Sequence, residues 1–325
     1  MKAVLCRTLG DPSLLSLEDV PPPELGPAQV RVGVRACGIN FPDVLMVLGK
    51  YQVRPPMPFS PGAEFSGDVL AVGTDCARIK VGQRVLVTSG FGGMAEEACV
   101  PERTVVAIPD GLDYETAAAF LLAYGTSWHA LKQRGSLAAG ETLLVLGAAG
   151  GVGLAAVQIG KLMGARVIAA ASTDEKLRLA RQYGADDTVN YSEASLRDSV
   201  RELTTGRGAD VILDPVGGDL FDDCLRAIAW RGRILVIGFA GGTIQSIPAN
   251  LPLLKGSSVV GVFWSRFAEL EPETHRRNTS ELLKAVGEGR LTPHIGRVFP
   301  LEQAADALRM LADREAAGKI VVTVS

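Results

Sequence analysis

Four glycines, Gly147, Gly150, Gly151 and Gly153, stand inside the stretch "TLLVLGAAGGVGLAAVQIGKLMGA". Their chemistry is that of bare backbone: without a Cβ, a peptide can bring its N–H groups against a phosphate. A short apolar run, residues 142–146, precedes them. Val152, Ala155, Ala156, Ile159 and Met163 follow at i, i+3, i+4, i+7 and i+11, the spacing of one helix face. A glycine turn between a buried strand and a helix is where a dinucleotide pyrophosphate meets a helix N-terminus. The turn departs from G-x-G-x-x-G, because Ala148 holds the first glycine slot. Gly147, Gly150 and Gly153 read instead as G-x-x-G-x-x-G, a wider turn that keeps the anion site. Ala149, Gly151 and Val152 complete the expected cradle.

The next apolar run, "RVIAAAS", ends without an acid. A site for NAD usually carries Asp or Glu here to hold the ribose 2′-hydroxyl, and that carboxylate would repel a 2′-phosphate. Ala171 occupies the slot, with a hydroxyl at Ser172 and a cation at Lys176. A donor and a positive charge in place of a repelling acid favour NADPH over NADH.

Other chemistries lack their residues. The three histidines, His129, His275 and His294, stand far from any glycine-flanked serine, and no G-x-S-x-G elbow is present, so all three read as structural or surface residues. The five cysteines are scattered without a close pair, which excludes a four-cysteine zinc lobe and a disulfide framework and suits a reducing, cytoplasmic setting. Net charge is −3 and no segment concentrates Lys and Arg. A nucleic-acid or anionic-membrane surface is therefore not expected. The uncharged run 142–158 is too short to span a bilayer and is broken by glycines.

The chain of 325 residues is long enough for two domains, and its 47% hydrophobic and 21% charged content is that of a globular protein. The first ~120 residues hold short β-branched runs punctuated by Gly and Pro ("KAVLC", "QVRVGVRAC", "GDVLAVG", "QRVLV", "TVVAI"), as in an all-β barrel or sandwich. From about Ala117 helical stretches alternate with single apolar strands ("TLLVLG", "RVIAAAS", "DVILDPVG", "RILVIG", "SVVGVFW"), which implies an α/β, doubly wound parallel sheet. The expected division is a catalytic domain over 1–122, a nucleotide-binding domain over 123–265, and a segment 266–325 returning to the first.

With these blocks in view, the chain resembles the zinc-independent medium-chain dehydrogenase/reductases of the NADPH:quinone oxidoreductase (zeta-crystallin-like) group. The resemblance rests on "CGINFPDVLMVLGKY" (37–51), "PFSPGAEFSGDVLAVG" (58–73), "LLAYGTSWHAL" (121–131), "GAAGGVGLAAVQIGKLMGA" (147–165), "GADDTVNY" (184–191), "GADVILDPVGG" (208–218) and "GRILVIGFAGG" (232–242). It implies a GroES-like barrel followed by a Rossmann domain. Zinc-dependent relatives of this fold carry a Cys and a His where this chain has Asn40 and Ala63, and Cys37 is two positions off register. The resemblance thus implies no metal, and chemistry directed at acceptors that are already electron-poor, such as quinones or enones.

The same resemblance assigns residues. Asn40 and Asp43 lie beside the nicotinamide and substrate, and Tyr51 is the candidate proton donor or oxyanion partner. Thr126 matches a threonine near the nicotinamide, and Tyr191 a tyrosine near the adenosine phosphate. Val216, Gly238, Phe239 and Phe263 follow later strands of the sheet, where the cofactor should cross. Arg314 is a further candidate for the 2′-phosphate. A homodimer is implied, joined by edge pairing of "SSVVGVFW", since an exposed apolar edge needs covering. Two other uses of the scaffold stay open: reduction of a 2-enoyl thioester or haloacrylate-type C=C bond, and a non-enzymatic crystallin-like or RNA-binding role. The Pro-rich loop 49–58 offers few cations to clamp coenzyme A, and no basic stripe serves RNA.

Overall fold

A computed structural model describes residues 1–324. The chain forms two compact units, one of Met1–Leu122 with the segment from Pro293 onward, the other of Ala123–Thr292.

In the first unit the longest strand, Gln29–Ile39, alternates Val30, Val32 and Val34 inward against polar neighbours, the period of a half-buried strand. It is the hub of a seven-stranded sheet. Glu64–Val72 pairs with it antiparallel along one side. Its other side is shared, with Glu97–Pro101 on the first half and Lys319–Thr323 on the second. Register shifts near Arg31 and Val34 bend the strand, as bulges do in strongly curved sheets. Val30, Val32, Phe65, Val85, Met94 and Val322 fill the core, each almost wholly buried.

The second unit is a six-stranded, all-parallel sheet. Its spatial order is Asp187–Asn190, Arg166–Ala171, Thr142–Leu146, Ala209–Asp214, Ile228–Val236, Ser258–Gly261. This is the doubly wound order, with the direction of winding reversing between Thr142–Leu146 and Ala209–Asp214. Leu143, Leu144, Val145 and Leu146 are fully buried, as residues of a strand covered on both faces must be. Local chemistry starts the helices: Thr173 accepts from Lys176 N ahead of Asp174–Gln182, and Ser195 from Asp198 N ahead of Leu196–Leu203. Among the described residues no helix is long and apolar enough to cross a membrane.

The third expected segment divides differently. Residues 266–292 belong to the second unit, and the chain rejoins the first only at Pro293. The helix Pro272–Gly287 buries Asn278, Thr279, Leu282 and Ala285, and Asn278 exchanges hydrogen bonds with Gln133 at 3.1 and 3.3 Å. Phe267 stacks on His129 with ring centroids 3.8 Å apart. The polar look of this helix pair in the sequence hid a face built for its own unit.

Candidate active site

Within the second unit the glycine joint has the geometry its sequence requires. Gly147 takes a left-handed conformation, φ +56°, that ends the strand. A Cβ on Gly153 would stand 2.2 Å from the Gly147 carbonyl oxygen, so only glycine lets the helix Gly151–Leu162 start so close to the strand. Gly150 caps that helix with no side chain of its own or of a neighbour, leaving the first-turn N–H groups to a ligand. These residues fit a pyrophosphate. Ser127 Oγ donates 2.8 Å to Val152 O and so ties the helix Leu121–Trp128, which carries the buried Thr126, to the cradle. Ser127 was absent from the sequence-based set, because its tie to Val152 spans 25 residues.

Other candidates gather at the same ends of the parallel strands. Val216 lies beside Gly147, where a Cβ would meet its Cγ2 at 3.2 Å, and Phe239 lies beside Gly217 at 3.1 Å. Asp214 Oδ1 accepts from the Val216 and Gly217 N–H groups at 2.8 Å each, which shapes this turn. Gly241 N donates to Val216 O at 2.7 Å, joining it to the loop that holds Gly238 and Phe239. Phe263 follows the edge strand and is about half exposed. Ser172 and Lys176 flank Thr173 beyond the end of Arg166–Ala171, both partly buried. Tyr191 N donates to Ala171 O at 3.2 Å, which puts Tyr191 at that same strand end.

The first unit holds Asn40, Asp43, Tyr51 and Arg314. Asp43 closes the head of the helix Phe41–Val47 from its third position, its carboxylate accepting from Asn40 N while its own N–H donates to the Asn40 backbone carbonyl at 2.9 Å. Asp43 is fully buried. One oxygen accepts from Asn40 N at 2.8 Å and the other from Gly62 N and Ala63 N at 3.2 and 2.8 Å. Burial pushes its carboxyl up to about 6, against the lowering effect of those N–H groups and of Lys319. Asp43 thus orients Asn40 and the 62–63 turn. Tyr51 is half-buried against the barrel core. Burial, and then the charge of Asp43, raise its phenol above the ordinary value, so it holds its proton. Arg314 follows the helix Ala304–Ala312 in a left-handed conformation, φ +62°.

One member of this group was not singled out in the sequence. Lys319 opens the terminal strand, and its Nζ is buried within 2.5 Å of Asn40 Oδ1, 3.1 Å of Ile39 O and 3.2 Å of Glu64 Oε2. Asn40 Nδ2 donates to Glu64 Oε2 at 3.2 Å and to Gly38 O at 3.1 Å, and Glu64 Oε1 accepts from Leu122 N at 2.7 Å. The register explains the meeting, since Gly38 faces Glu64 on one side and Val321 on the other. A lone lysine at the start of "KIVVTVS" was the available signal.

These residues do not fit zinc. The Asn40 oxygen and one Glu64 oxygen are already bound by an ammonium, the other Glu64 oxygen accepts from Leu122 N, and Ala63 offers no donor atom. Among the described residues no three His, Cys, Asp or Glu side chains group to hold a metal ion. His129 stacks on Phe267 and hydrogen-bonds Gln133, and His275 meets Trp264 edge-on at 5.2 Å.

Comparison with known proteins agrees with this architecture. Residues 26–110 match the alcohol dehydrogenase GroES-like domain and residues 151–280 the zinc-binding dehydrogenase family. Quinone oxidoreductase-like protein 2 of Bos taurus is 45% identical over 99% of this chain and 92% of its own length. Quinone oxidoreductase of Pseudomonas aeruginosa is 37% identical, with 99% of both chains covered. A mycobacterial protein solved in complex with NADPH superposes with a TM-score of 0.94 at 32% identity, covering 99% of this chain and all of its own. With a GroES-like barrel, a doubly wound glycine-cradle unit and likeness along its full length, this chain belongs to the quinone oxidoreductase group of the medium-chain dehydrogenase/reductase family and is an oxidoreductase.

Proposed function

We propose that the protein is an NADPH-dependent reductase that works without a catalytic metal and delivers a hydride to quinones or other electron-poor conjugated acceptors. The observation that carries the cofactor half is the glycine cradle at the head of Gly151–Leu162, followed by a strand end bearing Ser172 and Lys176 in place of an acid. NADPH bound there supplies the hydride. Gly147, Ala149, Gly150, Gly151, Val152 and Gly153 hold the pyrophosphate by backbone N–H groups and close approach. Ser172, Lys176 and Tyr191 take the 2′-phosphate end. Thr126, Val216, Gly238, Phe239 and Phe263 border the nicotinamide end.

The metal-free half is supported by the donor set around Asn40, where a chain ammonium takes the oxygens a metal would need. Without a Lewis acid there is little means to polarise an alcohol, so the acceptor itself must be electron-poor. Tyr51, kept as a phenol, donates to the oxygen on which charge develops. A screen of NADPH oxidation over 1,2- and 1,4-quinones, enones and enoyl thioesters, on protein assayed for metal, tests the proposal. Turnover with quinones and sub-stoichiometric zinc is the expected result. Stoichiometric zinc, or preference for enoyl thioesters, would replace the corresponding half.

A homodimer joined through Ser258–Gly261 is part of the proposal. That strand ends the sheet, and the apolar Trp230, Leu253 and Leu254 are exposed. All five cysteines are free thiols, three of them buried, which supports a reducing, cytoplasmic setting.

A further inference from the structure

We infer that Lys319 is a positioning residue of the reductase site: its ammonium locks the Asn40 carboxamide so that Asn40 can only accept a hydrogen bond from a ligand. The inference rests on the reductase reading above and assigns a division of labour within it. Both protons on Asn40 Nδ2 have partners, Gly38 O at 3.1 Å and Glu64 Oε2 at 3.2 Å. Of the two lone pairs on Oδ1, one faces Lys319 Nζ at 2.5 Å. One acceptor position remains.

The lock is a closed ring. Lys319 reaches Asn40 and Glu64, Asn40 reaches Glu64, and the third ammonium proton meets Ile39 O at 3.1 Å. Leu122 N satisfies the other Glu64 oxygen. Each member is nearly excluded from water, at 6% exposure for Asn40, 0% for Glu64 and 4% for Lys319. Flipping the carboxamide would set its NH2 against an ammonium and its oxygen against a carboxylate, so one orientation holds. Asn40 therefore serves ligand groups that carry a proton, such as a ribose hydroxyl or a carboxamide N–H. It cannot donate to a quinone or enone oxygen, and that donation falls to Tyr51.

A double-mutant cycle on the intact protein tests the inference. Lys319→Met, Asn40→Ala and the double variant are compared in kcat, KM for a 1,4-naphthoquinone, and dissociation constant for NADPH. Each single variant should lower kcat by roughly 10²-fold, the usual cost of a misplaced group. KM should move far less. The double variant should be no slower than Asn40→Ala alone, because Lys319 acts through Asn40. Effects that multiply, or full kcat in Lys319→Met, would overturn the assignment. Where Lys319→Met fails to fold because the buried Glu64 charge loses its counter-ion, Lys319→Met/Glu64→Gln takes its place in the cycle.

A second readout does not depend on turnover. In ¹H–¹⁵N spectra the Asn40 side-chain NH2 protons, both bonded in the interior, should exchange with water at least tenfold faster once Lys319 is replaced. Unchanged exchange overturns the lock even in a protein that reduces no acceptor, whereas the absence of turnover in the wild type overturns only the reductase reading.

Discussion

Tyr51 and Asp43 show how burial divides the labour of two neighbouring acids. The phenol is raised above its ordinary value and keeps its proton. Tyr51→Phe should lower kcat by about 10²-fold in stopped-flow NADPH oxidation if the phenol is the acid, and unchanged turnover would reduce it to a wall. Asp43 carries the opposite consequence, in stability. An unfolded carboxyl titrates at about 3.9, whereas burial pushes the folded one up to about 6. The native state therefore takes up this proton first as pH falls. The stability it contributes is full below about pH 4 and is lost as pH rises through about 6, a change of about 3 kcal/mol. Asp43→Asn lacks this ionisation, so its unfolding free energy relative to wild type should rise by about that amount from about pH 4 to about pH 7. Paired denaturant titrations check it, and a flat difference contradicts it. Lys176 is tested through cofactor choice. Lys176→Ala should raise KM for NADPH about tenfold and leave KM for NADH nearly unchanged, because only NADPH offers a phosphate to pair. Equal effects on both would remove the 2′-phosphate assignment.

The helix Gly151–Leu162 and the strand before it depend on one contact that no side chain makes. An alanine at position 153 would press its Cβ to 2.2 Å from Gly147 O, and backbone rather than a flexible side chain would have to yield. Gly153→Ala should lower stability by roughly 1–3 kcal/mol and weaken NADPH binding at least tenfold as the cradle shifts. Thermal unfolding and fluorescence titration read the two effects. Gly287, at the end of the helix Pro272–Gly287 with open space around its Cβ position, is the control, and Gly287→Ala should leave NADPH binding unchanged. Native-like binding by Gly153→Ala would mean that the cradle is not where the pyrophosphate lies. The first unit has a corresponding dependence, since the Asp43 carboxylate that accepts from Asn40 N both starts the helix Phe41–Val47 and fixes the backbone of the residue that Lys319 holds.

The chain as a unit of assembly presents the four-residue strand Ser258–Gly261 at one end of its six-stranded sheet. Val259 packs against the core of its own unit, which leaves Val260 to the other face of Ser258–Gly261. A charge at Val260 should oppose edge pairing without disturbing that core. Sedimentation equilibrium of the wild type should give twice the 34.2 kDa chain mass, and Val260→Lys should shift the population to monomer. A wild-type monomer at every concentration would end the dimer proposal.

Short-range features were legible in the amino-acid order because they depend on contiguous residue types. The glycine turn, the absent acid at Ala171 and the alternation of the barrel strands all lie within a few residues of backbone, where dihedral preference and side-chain chemistry act directly. Family likeness brought Asn40, Asp43 and Tyr51 forward as a group, yet nothing local showed that Asp43 holds the 62–63 turn. Tertiary structure decided what depends on strand register. Lys319 meets Asn40 across 279 residues and Glu64 across 255, because three neighbouring strands bring their ends together. It also decided the allegiance of 266–292, where buried Leu282 and Ala285 outweighed a polar sequence. Contacts so distant in the chain are set by packing and pairing, and leave no pattern in the residues on either side of them.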